Sequence, residues 1–245
     1  MSAENSNKRP ANGLPEGQPV AKKLRGLPET YVLPPNVIVM RETMQTRGMF
    51  TIIRDEKTTH QDFVFYFDRL SRLLIEEALS YLPAEEVDVM TPTGEAYPGI
   101  RWTRNLCGVP IIRAGEAFEI ALRGILRDCV IGKILIQRDE ETTLPKLFYS
   151  KLPKDISERT VLLLDPMLAT GGSAKAAIQV LIDSGVAEDS IMFINLVSCP
   201  EGLQAIYEAY PKVCVVTGEV DRQLNERAYI MPGLGDAGDR YMGTE

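Results

Sequence analysis

From residue 36 onward the apolar positions change period repeatedly. Residues 61–82 place Phe63, Phe67, Leu70, Leu74 and Leu82 on one side at helical spacing, with Asp68, Arg69, Arg72 and Glu76 suited to a solvent side. This predicts a long amphipathic helix. Residues 83–99, rich in Pro, Thr and Gly, read as a loop. Short apolar runs at 109–112, 133–137, 161–164, 191–197 and 213–217 read as strands. Between them, residues 116–127 and 173–184 carry apolar residues at i, i+3, i+4 and i+7, and Pro200 opens a third helix with Leu203, Ile206, Tyr207 and Tyr210. Gly185 is the expected stop of the second. The strands are apolar throughout rather than alternating, so both of their faces are buried. The pattern predicts an α/β fold with a mainly parallel central sheet and helices on both faces, in one domain over 36–245. Residues 1–35 lack this periodicity and hold six of the 16 prolines, which predicts a disordered N-terminal arm.

The formal charge of the 245 residues is −7. The arm carries five basic and three acidic residues, which leaves −9 on the remainder. That balance excludes a nucleic-acid binder that works by bulk charge. No apolar run approaches the roughly 18 residues of a membrane span. A polar N-terminus predicts a cytoplasmic protein without a secretory signal. Lys8-Arg9 and Lys22-Lys23-Leu24-Arg25, twelve residues apart, resemble a bipartite nuclear import signal. Cys107, Cys129, Cys199 and Cys214 form no C-x-x-C pair and sit among apolar neighbours, so they read as packed, reduced thiols. His60 is the one histidine, which excludes a two-His metal site. Among Thr58, Thr59 and Gln61 it reads as an exposed loop residue.

Residues 160–181, TVLLLDPMLATGGSAKAAIQVL, hold the densest chemistry. A buried strand ends in Asp165, and a helix opens after Ala169-Thr170-Gly171-Gly172-Ser173. In an open α/β sheet the ligand crevice lies at the carboxyl ends of the strands. Small residues admit backbone N–H groups, two hydroxyls add donors, and the helix N-terminus supplies partial positive charge, together a cradle for a phosphate. Asp165 would repel that phosphate. It suits sugar hydroxyls or a metal. No G-x-x-x-x-G-K-[ST] is present, which excludes a Walker loop. Residues 233–238 fit G-x-G-x-x-G, but only seven residues follow, too few for a dinucleotide unit. They read instead as a glycine-rich loop whose backbone matches the edge of a flat base.

The stretch DPMLATGGS resembles the ribose-phosphate loop of type I phosphoribosyltransferases, in particular uracil phosphoribosyltransferases. Residues 112–116 (IRAGE) resemble the family's loop for pyrophosphate and ribose. Residues 138–142 (RDEET) resemble the start of its flap, and 229–240 (YIMPGLGDAGDR) its base-binding segment. The resemblance implies the type I phosphoribosyltransferase fold, with a flexible flap over 138–150 and a C-terminal base-binding segment. It implies transfer of the phosphoribosyl group from 5-phosphoribosyl 1-diphosphate (PRPP) to uracil, giving UMP and pyrophosphate.

By resemblance, PRPP is bound by Arg113, Arg138, Asp165, Pro166, Met167, Leu168, Ala169, Thr170, Gly171, Gly172, Ser173 and Asp236. Uracil is bound by Ile230, Gly235, Asp236 and Ala237. Arg113, Arg138 and Asp236 are the expected catalytic residues, since departing pyrophosphate needs fixed cations and the oxocarbenium-like sugar a carboxylate, Asp165 or Asp236. Mg²⁺ is expected to arrive mainly on PRPP, because Pro166 stands where many relatives carry a second acid, and no side chains are assigned to hold it. Arg69 matches a GTP effector position, whereas His60 and Val130 stand where relatives carry Lys or Arg. A homodimer or homotetramer is implied, with no nucleic-acid or membrane partner. The rival reading is a catalytically silent phosphoribosyltransferase-fold regulatory or binding protein.

Overall fold

A computed structural model of the chain describes residues 24, 26–138 and 145–244. The chain opens with β1 (Val37–Val39), α1 (Met44–Arg54) and α2 (His60–Leu79), then β2 (Ala84–Met90), β3 (Ala96–Trp102) and β4 (Leu106–Ile112). A 3-10 turn at Ala114–Glu116 leads into α3 (Ala117–Ile125), followed by β5 (Val130–Ile131), β6 (Lys133–Arg138), β7 (Pro145–Lys151), β8 (Thr160–Leu164) and β9 (Met167–Leu168). The remainder is α4 (Gly172–Asp183), β10 (Ile191–Ser198), α5 (Pro200–Ala209), β11 (Cys214–Val220), β12 (Gln223–Leu224), β13 (Ile230–Met231) and α6 (Ala237–Met242).

The main sheet runs β1-β11-β10-β8-β4-β6-β7, with β5 beside β4 and β9 beside β10. Every pairing in it is parallel except β6 with β7. Side chains of β8 and β10 alternate between two cores. Leu162, Leu164, Met192, Ile194 and Leu196 join α1, α2, α3 and α6, while Val161, Leu163, Ile191 and Phe193 join α4 and α5. The expected α/β architecture with helices on both faces is therefore present. The parallel strands put all their carboxyl ends at one edge, where the candidate residues lie.

Several expectations need correction. Residues 83–99 are not a plain loop: β2 and β3 form an antiparallel hairpin through 84–102. Glu85, Glu86 and Asp88 leave β2 without a buried face, so no alternation announces it. Helix α1 went unpredicted because Gly48 and two threonines dilute its propensity; it is held by a Thr43–Thr46 capping box and by burial of Met49, Phe50 and Ile53. His60 begins α2 rather than lying in a loop, and its Nε2 is 2.9 Å from Tyr241 O. Asp68 is not on the wet side, since it accepts a 2.7 Å hydrogen bond from the Tyr241 hydroxyl. Within the segment assigned to the arm, Leu24, Leu27 and Leu33 pack against the α4/α5 core. Residues 1–23 and 25, with most of both basic clusters, lie outside the described residues. No helix among the described residues is long and apolar enough to cross a membrane.

Helix α2 ties the core to the C-terminal helix. The fully buried Phe67 ring stacks edge-on against Phe118 at 5.8 Å and Tyr241 of α6 at 5.1 Å. Phe67→Ala is expected to destabilise the fold by about 3–5 kcal/mol, read from urea unfolding, because a large ring leaves a cavity. A loss below about 1 kcal/mol would mean the site collapses freely.

Candidate active site

Strand β8 ends at Leu164, and Asp165 follows, its N–H donating to Ile194 O at 3.2 Å. The chain then jogs. The Pro166 carbonyl accepts from Leu196 N–H at 2.9 Å and Val197 N–H at 3.0 Å, and β9 resumes pairing with Val197–Ser198. The stretch DPML is therefore partly strand rather than loop. Pro166 and Leu168 are buried, so those two residues can offer a ligand only backbone, while the Asp165 side chain is partly exposed.

The cradle itself follows. Gly171 is the left-handed N-cap of α4 at φ +78°, Thr170 is exposed, and Gly172 and Ser173 are partly exposed at the helix start. Helix α5 braces it from behind. The Cys199 thiol donates to Ala169 O at 3.2 Å, and burial pushes that thiol up to about 12, so it stays protonated. A side chain on Gly202 of α5 would collide with the Ala169 carbonyl.

The loop after β4 is brought onto this edge by Gly115. A Cβ there would collide with the Leu164 carbonyl, the last of β8. Glycine is the one residue that allows this approach. Arg113 precedes it, after a cis peptide bond from Ile112. Its guanidinium is not free: it pairs with Asp239 and donates to Thr244 Oγ1 at 3.2 Å. Thr244 and Arg113 together hold the Asp239 carboxyl below its ordinary range.

Asp239 belongs to α6, whose N-cap is Asp236, accepting from Asp239 N–H at 2.9 Å. Ala114 lies against this helix start: a Cβ on Gly238 would stand 3.4 Å from Ala114 Cβ and 3.3 Å from Asp236 Oδ1. Asp236 is near enough to Asp165 to raise its pKa. Burial is the main cause of that rise, the Met167 N–H opposes it, and the carboxyl ends at about 7. A buried carboxyl with a second carboxylate close by suits a divalent cation. No group of three or more His, Cys, Asp or Glu among the described residues could hold a metal, so a substrate would have to supply the other ligands.

The segment before Asp236 is backbone-rich. Ile230 and Ala237 are buried, whereas Gly235 and Asp236 are exposed. Gly233, at φ +69°, sits over the Ile230 carbonyl with no room for a side chain, and Met231–Pro232 is cis. The Ile230 and Ala237 side chains are thus core, leaving their main chain to meet a ligand.

Of the remaining candidates, Arg138 ends β6, where its backbone pairs with Pro145 of β7. Pro145 Cγ would stand 3.0 Å from a Cβ on Gly172, so this hairpin meets the cradle. Strand β7 (Pro145–Lys151) takes up residues 145–150 of the expected flap, and 139–144 lie outside the described residues. Arg69 lies on α2, its guanidinium 5.8 Å from the Phe65 ring and 5.7 Å from that of Tyr66. A cavity of about 900 Å³ lined by Arg47, Arg54, Asp221 and Pro232 includes no cradle residue.

Two loops lie at one sheet edge, the small-residue helix start at 169–173 and the glycine-rich segment at 230–237, and Asp165 beside the first is close enough to feel the charge of Asp236 in the second. A sequence model of uracil phosphoribosyltransferase matches residues 39–244. The chain belongs to the uracil phosphoribosyltransferase family. The uracil phosphoribosyltransferase of Dictyostelium discoideum is 56% identical over 212 residues, spanning 86% of this chain and 98% of that protein. That of Saccharomyces cerevisiae is 55% identical over 206 residues, 84% of this chain and 95% of the relative. The solved AQ2163 protein from Aquifex aeolicus superimposes with a TM-score of 0.73 at 30% identity, covering 84% of this chain and 97% of its own.

In this family member, sequence reasoning missed Arg54, Asp221, Arg240 and Gly202. Asp221 follows the carboxyl end of β11 as Asp165 follows that of β8, and the same rule would have found it. Arg54 gave no signal, because α1 itself was not foreseen.

The raised carboxyl of Asp165 has a measurable consequence. The folded state keeps this proton to about pH 7, the unfolded chain to about pH 4, so stability falls as pH rises through that window. Asp165→Asn is expected to raise Tm over the parent at about pH 8 and to lose that advantage near pH 4.5. An equal Tm difference at both pH values would contradict the burial of this charge.

Proposed function

We propose that this chain transfers the phosphoribosyl group of PRPP to uracil, forming UMP and releasing pyrophosphate. One arrangement carries the reading: the cradle at 169–173 and the base segment at 230–237 converge on the end of β8, where Gly115 seats the Arg113 loop. The 5-phosphate takes the N–H groups and hydroxyls of Thr170–Ser173. The uracil edge takes backbone groups of Ile230, Gly235 and Ala237. The bond from C1 to the diphosphate oxygen breaks, the bond from C1 to a uracil nitrogen forms, and that nitrogen's proton leaves.

In this reading Arg113 exchanges Asp239 for diphosphate oxygens as charge develops on the leaving group, and Arg138 approaches from the β6–β7 hairpin. Asp165 and Asp236 face the sugar, where a carboxylate stabilises the positive centre at C1. Mg²⁺ carried by the diphosphate would meet the same two carboxylates, and when bound it offsets leaving-group charge. A homodimer or homotetramer is part of the proposal. The β2–β3 hairpin exposes Met90 (72%), Ile100 (67%) and Tyr97 (59%), and a lone hairpin is marginal in water, which favours a second copy covering it.

Purified protein with PRPP, Mg²⁺ and radiolabelled uracil is expected to yield UMP. Asp236→Asn, which keeps the helix cap, and Arg113→Ala should each lower turnover by at least ~10²-fold with Tm retained. Folded protein that makes no UMP would favour the silent-protein reading, and near-normal turnover in both variants would remove these two roles.

A further inference from the structure

A base recognised by main-chain groups needs that main chain to be held still. A glycine-rich segment does not hold itself: its backbone has the most freedom to lose. The segment 230–237 contains two glycines at positive φ, +69° at Gly233 and +83° at Gly235. Gly233 in particular needs a hold from outside the segment.

The contacts that provide it come from a charged cluster behind the segment. Arg54, the last residue of α1, donates through Nη1 to Gly233 O at 2.7 Å and to Asp221 Oδ2 at 2.9 Å. Its Nη2 donates to Asp221 Oδ1 at 2.8 Å and to Glu219 Oε2 at 2.8 Å. Asp221 Oδ2 in turn accepts the Gly233 N–H at 2.8 Å. Both backbone polar groups of a single glycine are therefore gripped by the two halves of one ion pair. The side chains are shielded from water, Arg54 at 17% and Asp221 at 6% exposure, so screening is weak. The cation also sits at the C-terminal end of a helix dipole. Asp221 is itself fixed to the sheet through its N–H on Ser198 O at 2.8 Å. Arg240 repeats the device one residue on, donating to Leu234 O and Ile53 O at 2.6 Å each.

We infer that Arg54 and Asp221 are positioning residues for base recognition: a clamp that sets affinity for uracil without touching it. The inference rests on the reading of 230–237 as the base segment. Lysine cannot replace Arg54 here, since one ammonium cannot span Glu219, both Asp221 oxygens and the Gly233 carbonyl. The hydrogen bonds of the clamp join its own members to Gly233 of the base segment, so its effect is expected on the base rather than on PRPP.

The test uses the full-length protein and separates the two substrates. Arg54→Lys is expected to raise KM for uracil at least about tenfold while KM for PRPP stays within about twofold. Asp221→Asn, which keeps volume, should do the same, and it serves as the test if Arg54→Lys does not fold. The double variant should add little to either single change, because the pair acts as a unit. Hydrogen exchange over 230–237 should quicken in the folded variants. Unchanged KM for uracil, or equal rises in both Michaelis constants, would overturn the clamp. Gly235→Ala reports on the base segment separately. If it leaves KM for uracil unchanged, the base-site reading fails; if it raises KM while both clamp variants do not, the clamp alone fails.

Discussion

The site depends on one backbone contact, the seating of Gly115 on the carbonyl of Leu164. It lets the loop after β4 fold over the carboxyl end of β8 instead of passing beside it. Arg113 and Ala114 are thereby placed against α6, Arg113 on Asp239 and Ala114 beside Gly238. Helix α6 is held in turn by Tyr241 on Phe67 and Asp68, so the core below and the loops above meet through one short helix. A methyl group at residue 115 would collide with the Leu164 carbonyl and push these pieces apart.

Electrostatics at this edge work against the overall charge. Residues 36–245 carry −9, yet the proposed substrate is an anion. The local answer is dipoles and a few fixed cations: the α4 N-terminus, the N–H groups around Gly171 and Gly172, and Arg113. Arg113 pairs with Asp239, which orients the guanidinium, and in the proposed reaction the diphosphate would take the place of that carboxylate. Asp165 is half-buried and, mainly through that burial, holds its proton to about 7, a desolvation cost that a hydrogen-bond donor or a cation would relieve. Behind the base segment, Arg54 sits between two carboxylates and turns the same kind of charge into rigidity.

Much of this was legible in the sequence, for physical reasons that differ by element. Strands β8 and β10 were visible because burial on both faces leaves only apolar residues. The cradle was visible because its geometry demands small residues and hydroxyls at one strand–helix junction. The hairpin was hidden because neither face is buried within the chain, so its residues answer to no internal period. Helix α1 was hidden because its stability comes from a cap and three packed side chains, not from propensity. The arginine clamp was hidden for a deeper reason: Arg54 and Asp221 are 167 residues apart, and nothing local marks either as half of a pair.

The central claim is that phosphate and base are held by two loops meeting at the end of β8. A crystal structure of the protein with UMP tests this most directly. The account predicts the phosphate within hydrogen-bond reach of the N–H groups of residues 170–173, and the uracil edge against the main chain of 230–237. A nucleotide bound elsewhere, or one whose base faces away from 230–237 with its phosphate outside the cradle, would contradict it.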